Sequence, residues 1–346
     1  MLLPLRIMLA LALPACDGDL EGLRQPVILA PSTGGLEDLD VEAVPPLMRT
    51  WVFGEDALPV RRPDQVLNGI HETIFEELAH VQRTDLLRFE LDYGLTASVY
   101  VFHPDVPNRI LVLYQLGHQG LTAGVATVAS LTAWGYTVLL HAMPFYGPDA
   151  ESLTVSVPEG TFVLSSHDSL LQLDRHGYRT FQLFFEPISR SRAHVQSRQS
   201  FDQVVMLGLS GGGWTTDLYS ILDPTLSASY SVAGSMPFSM RERPDIGDFE
   251  QLRSRDIYDL ANFEAIYVLA AVHGRHRQIL NQFDDCCFAW DEREDEVRAY
   301  ESRVQERLIQ EGIFEGFEVH LLPNRTRHDI HPEALELMDD ELRPSR

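Results

Sequence analysis

The stretch VVMLGLSGGGWTTD (residues 204–217) runs from four apolar residues into a serine enclosed by glycines. The apolar run predicts a buried strand, and the residues from Gly212 onward predict a helix. A serine at the tip of such a turn takes strained backbone angles, so the residues two positions to either side must lack bulk, as Gly208 and Gly212 do. The stretch is therefore typical of a sharp strand-to-helix turn that presents Ser210. A flexible glycine-rich connector is the alternative.

Strand-like and helix-like segments alternate on both sides of this turn. The strand-like segments lie at 86–92, 95–104, 109–118, 136–144, 201–210, 226–235, 277–285 and 317–323. The first two alternate between apolar and polar residues, as an antiparallel edge does, and the third is nearly continuously apolar, as a central strand is. Helical patterns lie between them, at 120–134, near 182–200, at 212–222 and at 291–311. This order predicts an α/β fold, a three-layer αβα sandwich around a mostly parallel sheet of about eight strands.

The sequence before the sheet predicts a helical segment at 47–84 that packs on the core. Within it, the apolar residues of 63–82 recur at helical spacing, and Pro63 suits a first turn. The stretch 17–46 is rich in glycine, proline and acidic residues and predicts a flexible tether. The main domain is expected at 85–338, with a cap-like insertion at 237–275.

The first sixteen residues, MLLPLRIMLALALPAC, place one arginine ahead of an apolar run. This run is shorter than the roughly 20 apolar residues that span a bilayer, so it predicts a signal peptide rather than a membrane helix. Leu13, Ala15 and Cys16 resemble a bacterial lipobox, from which Pro14 departs. We expect an exported protein, periplasmic or at the cell surface, anchored to a bacterial membrane by a lipid on Cys16. The alternative is a buried N-terminal helix, which Pro14 would break.

The composition limits the class of partner. The chain carries a formal net charge of −24, and 45% of its 346 residues are hydrophobic. The hydrophobic content suffices for a sizeable globular core. The negative charge argues against nucleic acid and against adsorption to an anionic membrane surface. A small-molecule substrate remains as the expected partner, and no cofactor is expected.

A serine hydroxyl needs a base to take its proton, and the base needs a carboxylate to orient it. His328 lies just past the last apolar strand and is the predicted base, whereas His331, three residues on, is more typical of a helix start. Asp284 and Asp285 end another strand of the predicted sheet. Either carboxylate could orient the base, and Asp284 is preferred.

Two backbone N–H groups are predicted to hold a developing oxyanion. Gly211 follows the serine at the start of a helix, where its N–H can point at the substrate. The second donor is expected after the third strand, in the segment LGHQG at 116–120. There it would be the backbone N–H of His118 or of Gln119.

The segments LGHQG, GLSGGG, NQFDD and RHDIH, in this order along a strand-helix alternation, resemble the α/β-hydrolase superfamily over about residues 85–338. The resemblance implies that Ser210 is the nucleophile, that Asp284 is the acid after the seventh strand and that His328 is the histidine after the eighth. It also implies an acyl-enzyme mechanism, with carboxylic esters as the expected substrates. Peptides and thioesters are alternatives, as is a non-catalytic surface protein that keeps the fold for binding.

Metal-dependent hydrolysis is an alternative that the sequence disfavours. The HDIH segment at 328–331 and the pair His273 and His276 each offer two imidazoles, but nearby residues offer no clear third ligand. Cys286 and Cys287 are adjacent, which is not the spacing of a zinc site, and a vicinal disulfide between them is left open. No metal site is therefore expected.

Overall fold

The computed structural model describes residues 35–241, 248–253 and 255–343. The predicted signal peptide, the lipid attachment at Cys16 and the tether at 17–34 lie outside the described residues, as do 242–247 within the predicted insertion. Among the described residues, no helix is both long and apolar enough to cross a membrane.

The described residues form one nine-stranded sheet and a separate hairpin. The strands are β1 Gln65–Leu67, β2 Val81–Glu90, β3 Thr96–Pro104, β4 Ile110–Gln115, β5 Thr137–His141, β6 Leu153–Val157, β7 Gly160–Leu164, β8 Gln203–Leu209, β9 Ala228–Val232, β10 Arg275–Asn281 and β11 Phe317–Leu322. The order in the sheet is β1-β2-β3-β5-β4-β8-β9-β10-β11, and β6 and β7 form the hairpin. In this order, every neighbouring pair from β5 onward is parallel, and the pairs β1–β2, β2–β3 and β3–β5 are antiparallel. The predicted mostly parallel sheet is confirmed, with the short β1 added at its edge.

Helices cover both faces of the sheet. They are α1 Val44–Phe53, α2 Val125–Ala133, α3 His167–Asp174, α4 Gln182–Gln196, α5 Gly211–Leu222, α6 Arg255–Leu260, α7 Phe263–Ala271, α8 Glu294–Gln310 and α9 Pro332–Leu342. Successive residues of β8 point to opposite faces: Met206 joins the core cluster shared with α4, α5, α7 and α8, whereas Leu207 joins the cluster shared with α2 and α9. Because both faces are buried, the strand is apolar throughout, and the three-layer prediction is confirmed.

The predicted helix over 63–82 is wrong. The segment contains β1, a single 3₁₀ turn and the first residues of β2. Gly69 has φ +65°, which a helix cannot contain, and its N–H donates to the buried carboxylate of Asp85 at 2.9 Å. The apolar residues of the segment do pack on the core, but they do so from an irregular chain laid against β2. Burial therefore explains the apolar spacing without a helix.

The predicted tether at 17–46 is wrong for its described part. Residues 35–43 lie against α8, where the Arg307 guanidinium donates to the carbonyls of Leu36 and Leu39, each at 2.8 Å. Both leucines pack against the core, and Val41 is buried. Three apolar anchors thus fix a stretch whose glycine and acid content suggested flexibility, and α1 begins directly after it.

The predicted insertion at 237–275 includes part of the helical layer. Every residue of its α7, FEAIYVLAA, except Glu264 is buried, and the helix packs against α5 and α8. A helix that is apolar on all sides belongs in a core rather than in an exposed cap. Phe249–Arg253, which lie before α6, form one turn of π-helix that contacts α3.

A buried arginine attaches the irregular segment before β2 to α4. Arg190 is fully buried, donates to the carbonyls of Arg61 and Arg62, and forms ion pairs with Asp64 and Glu186. Arg190→Met should lower the free energy of unfolding by about 2–4 kcal/mol, because the carbonyls and carboxylates that the buried guanidinium joins would lose their donor. Urea unfolding would measure the loss.

A matched control is Arg303→Met. Arg303 pairs with Glu264 but is half exposed. Its loss should cost less than about 1 kcal/mol, as for surface ion pairs in general. Equal losses in the two variants would contradict the role given to Arg190.

Candidate active site

Ser210 lies in a strained turn between β8 and α5. Its backbone has φ +58° and ψ −126°, outside the regions that serine favours. A Cβ on Gly208 would lie 2.0 Å from the carbonyl oxygen of Gly212, and one on Gly212 would lie 2.2 Å from that of Gln115. The two glycines therefore permit a bend that any side chain would block, so the flexible-connector alternative is wrong.

The predicted site residues follow four parallel strands at one edge of the sheet. Ser210 follows β8, Asp284 follows β10, His328 follows β11, and the segment 116–120 follows β4. Since β4, β8, β9, β10 and β11 run parallel, their carboxyl ends meet at the same edge, where sites in such sheets collect. The topology accounts for how residues more than a hundred positions apart share one region.

The Asp284 carboxylate faces the ring of His328. Nδ1 of His328 lies 2.9 Å from both carboxylate oxygens of Asp284, whose side chain is fully buried. The backbone N–H groups of Cys286 and Cys287 donate to Oδ1 of Asp284 at 3.0 and 2.9 Å and hold the carboxylate in place. Asp285 instead accepts the backbone N–H of His328 at 2.9 Å. Asp284 therefore contacts the ring of His328, and Asp285 accepts a hydrogen bond from its backbone.

The loop that carries His328 is also held by a residue that was not predicted from the sequence. Asn281, the last residue of β10, donates from Nδ2 to the carbonyls of Arg327 and Asp329 at 3.0 and 3.1 Å. These two carbonyls flank His328. The signal available in the sequence was an asparagine at the end of a strand, three residues before the predicted acid.

The other ring nitrogen of His328 is available for chemistry. Nε2 is buried and has no hydrogen-bond partner among the described residues. When Nδ1 donates its proton to Asp284, Nε2 carries the lone pair that a general base needs. Burial alone would lower the pKa of His328, but the hydrogen bond and the negative charge of Asp284 raise it above its usual value.

This raised pKa predicts the pH dependence of hydrolysis. Only neutral imidazole can accept the serine proton, so kcat/KM should rise with pH through an apparent pKa above 6.5, the ordinary value of histidine. Measured pH–rate profiles on a neutral ester would test this. A rate that stays flat between acidic and neutral pH would contradict the assignment of His328 as base.

The segment 116–120 lies directly against the serine turn. A Cβ on Gly117 would lie 2.7 Å from Cβ of Ser210 and 3.2 Å from the backbone nitrogen of Gly211. A Cβ on Gly211 would lie 2.9 Å from Cε1 of His118. This close approach suits a shared oxyanion site, and the choice between the N–H groups of His118 and Gln119 as second donor stays a prediction.

Three further sequence predictions have a structural outcome. His331 accepts the backbone N–H of Glu333 and begins α9, as its position indicated. The sulfur atoms of Cys286 and Cys287 lie 2.7 Å apart, with the Cys287 thiol donating to that of Cys286. The His118 side chain, for which no role was predicted, contacts His167, Asp248 and Glu250.

Comparison with known proteins identifies the fold. No protein-family model and no curated protein sequence matches the chain. Solved structures do: an acetyl xylan esterase from Thermoanaerobacterium sp. JW/SL YS485 superimposes with a TM-score of 0.54 at 12% identity, covering 87% of this chain and 92% of the esterase. For a putative acetyl xylan esterase from Bacteroides fragilis the TM-score is 0.57 at 14% identity, with 88% and 86% covered. A glucuronoyl esterase from Solibacter usitatus superimposes with a TM-score of 0.55 at 12% identity, covering 91% of this chain and 96% of the esterase. With these similarities and its strand order, the chain has the α/β-hydrolase fold.

Proposed function

We propose that this protein is a serine hydrolase that cleaves carboxylic esters through Ser210, His328 and Asp284. The observation that carries the proposal is the orientation of His328. Its Nδ1 faces the buried Asp284, and its Nε2 has no hydrogen-bond partner in the described residues, at the sheet edge that also presents Ser210.

The proposed reaction has two steps. In the first, His328 takes the proton of Ser210 as Oγ attacks the carbonyl carbon, and the N–H groups of Gly211 and Gln119 stabilise the oxyanion. The histidine then gives its proton to the leaving alcohol, and an acyl group remains on the serine. In the second step, His328 takes a proton from water as the water oxygen attacks the acyl carbon, and it returns this proton to Oγ of Ser210 as the C–Oγ bond breaks and the acid leaves. Asp284 keeps the ring oriented throughout and stabilises its positive charge.

Esters are favoured as substrates by the comparisons with solved structures. Three solved structures that resemble the chain over most of its length are named as esterases. The two predicted backbone donors beside the buried serine would stabilise an acyl oxyanion, which supports acyl transfer in general. Peptides and thioesters share this chemistry, and a binding protein with the same fold would show none of it.

Activity on a matched substrate set tests the proposal. The purified chain should hydrolyse p-nitrophenyl esters of a chain-length series and leave amino acid p-nitroanilides uncleaved, with Ser210→Ala as the blank. Faster cleavage of the anilides would indicate a peptidase. Folded protein without activity on esters, thioesters or anilides would support the binding protein.

We further propose that the protein is exported and carries a lipid on Cys16. The support is the sequence of residues 1–16, with its single arginine, short apolar run and terminal cysteine. Palmitate labelling of the expressed chain that is equal in wild type and Cys16→Ser would rule out the lipid.

A further inference from the structure

Four metal-ligating side chains meet beside the serine turn, and the proposed hydrolysis uses none of them. His118 follows β4, His167 begins α3, and Asp248 and Glu250 lie in the segment that leads to α6. One nitrogen from each histidine and one oxygen from each carboxylate lie within 4.8 Å of one another. These residues are called the His118 cluster below.

The distances within the His118 cluster are close to the edges of a coordination tetrahedron. Nε2 of His118 lies 3.0 Å from Nδ1 of His167, and 3.2 Å from both Oδ2 of Asp248 and Oε1 of Glu250. Nδ1 of His167 lies 3.6 Å from Oδ2 of Asp248 and 3.2 Å from the other Glu250 oxygen, Oε2. Ligands about 2.0–2.2 Å from a tetrahedral zinc ion would be about 3.3–3.6 Å apart. Only small shifts would bring four donors onto one ion.

The ring of His167 is held in the form that binds a metal. Its Nε2 lies 3.0 Å from the carbonyl oxygen of Pro144. A carbonyl can only accept, so Nε2 carries the proton, and in the neutral ring the lone pair is on Nδ1, which points at the cluster. A backbone carbonyl that fixes the remote nitrogen is the usual support of a metal-binding histidine.

Charge in the His118 cluster also calls for a cation. Glu250 is fully buried, and each of its carboxylate oxygens lies 3.2 Å from a histidine nitrogen, although neither accepts a hydrogen bond of good geometry in the described part of the chain. A buried carboxylate is expensive unless a positive charge compensates it. Positive charge is therefore favoured beside Glu250, as a proton on an imidazole or as a metal ion.

Two features favour a metal ion over protons. Only one proton fits between the two imidazole nitrogens that face each other at 3.0 Å, so protonation there compensates at most one of the two carboxylates, whereas one divalent ion can accept both lone pairs and compensate both. The Asp248 side chain is 42% exposed, which leaves a route for an ion to enter. We propose that the His118 cluster binds one divalent transition metal ion, with zinc as the best fit to two nitrogens and two carboxylate oxygens. Magnesium and calcium prefer sites made of oxygen alone.

Such an ion would join three parts of the active-site region. His118 belongs to the segment that lies against Ser210 and Gly211, His167 to α3, and Asp248 and Glu250 to the segment before α6. The ion would thus hold this edge of the site together while remaining outside the reaction itself. Binding of the metal does not depend on the proposed esterase function.

Metal uptake by the whole chain tests this proposal. Wild-type protein is stripped with a chelator, reloaded with zinc chloride, desalted and analysed by mass spectrometry for metal content. About one zinc ion per chain is expected. Glu250→Gln and His167→Gln should each lower this to below about one tenth, since each removes a ligand. Folded, stripped wild type that takes up no zinc would overturn the proposal.

Matched controls separate this cluster from two others. Cys286, Cys287 and His328 form a second group of potential ligands, and Glu318, His320 and Glu341 form a third. His320→Gln and the double variant Cys286→Ser/Cys287→Ser should keep wild-type zinc content. Loss of zinc in either control, with retention in Glu250→Gln, would overturn the assignment.

Cobalt spectroscopy of the wild type gives an answer even if a variant fails to fold. Cobalt(II) in the His118 cluster should show the visible bands of a tetrahedral nitrogen and oxygen site. It should lack the near-ultraviolet charge-transfer band of a thiolate ligand. A thiolate band would place the ion at the cysteines and contradict the proposal.

Discussion

Replacing Ser210 with alanine should lower kcat for ester hydrolysis by about 10⁶-fold, the scale on which serine hydrolases lose activity without their nucleophile. The hydroxyl is the atom that would form the acyl bond, and a methyl group cannot replace it. The oxyanion donors and the binding site stay in place, so activity somewhat above the uncatalysed rate should remain. Steady-state kinetics on a p-nitrophenyl ester would measure the loss.

The Ser210→Ala variant should remain folded. Alanine at φ +58° is strained much as serine is, so the turn loses little by the change. Circular dichroism and thermal unfolding provide the control. A folded variant that retains activity within about tenfold of wild type would exclude Ser210 as the nucleophile.

The second large effect is expected at Asp284. Asp284→Asn should lower kcat by about 10⁴-fold. Two backbone N–H groups already donate to Oδ1, so the asparagine would turn its oxygen to them and its NH₂ toward Nδ1 of His328. That contact puts the ring proton on Nε2, which then cannot accept a proton from Ser210.

The neighbouring carboxylate supplies a matched control. Asp285 accepts a backbone N–H of His328, a role that an asparagine oxygen can also fill. Asp285→Asn should therefore change kcat by less than about tenfold. If Asp285→Asn were the more damaging substitution, the assignment of the two carboxylates would be reversed.

The fold could be predicted from the sequence wherever the pattern of apolar residues fits only one type of secondary structure. The apolar run of β8, the glycines around Ser210 and the alternation of strands and helices each have one structural solution. The pattern of segment 63–82 has two structural solutions, because apolar residues four apart suit a helix and also suit an irregular chain that packs on a sheet. Gly69, with its positive φ, decided between them.

The site could be predicted only where its parts follow strand ends. Ser210, Asp284 and His328 each follow a parallel strand, so their location at one edge of the sheet is a consequence of topology. The choice between Asp284 and Asp285 depends on side-chain direction after β10, which no local pattern encodes. The His118 cluster joins residues from three separate segments without common spacing, so no metal site was expected from the sequence, and only the tertiary structure brings these side chains together.

The most direct test of the central claim is the site of labelling by a fluorophosphonate. This reagent forms a stable bond with a serine that an adjacent base activates. Peptide mass spectrometry of the labelled wild type should find one adduct, on Ser210, and the adduct should disappear in Ser210→Ala. Folded wild-type protein that stays unlabelled, or that is labelled on another residue, would contradict the account.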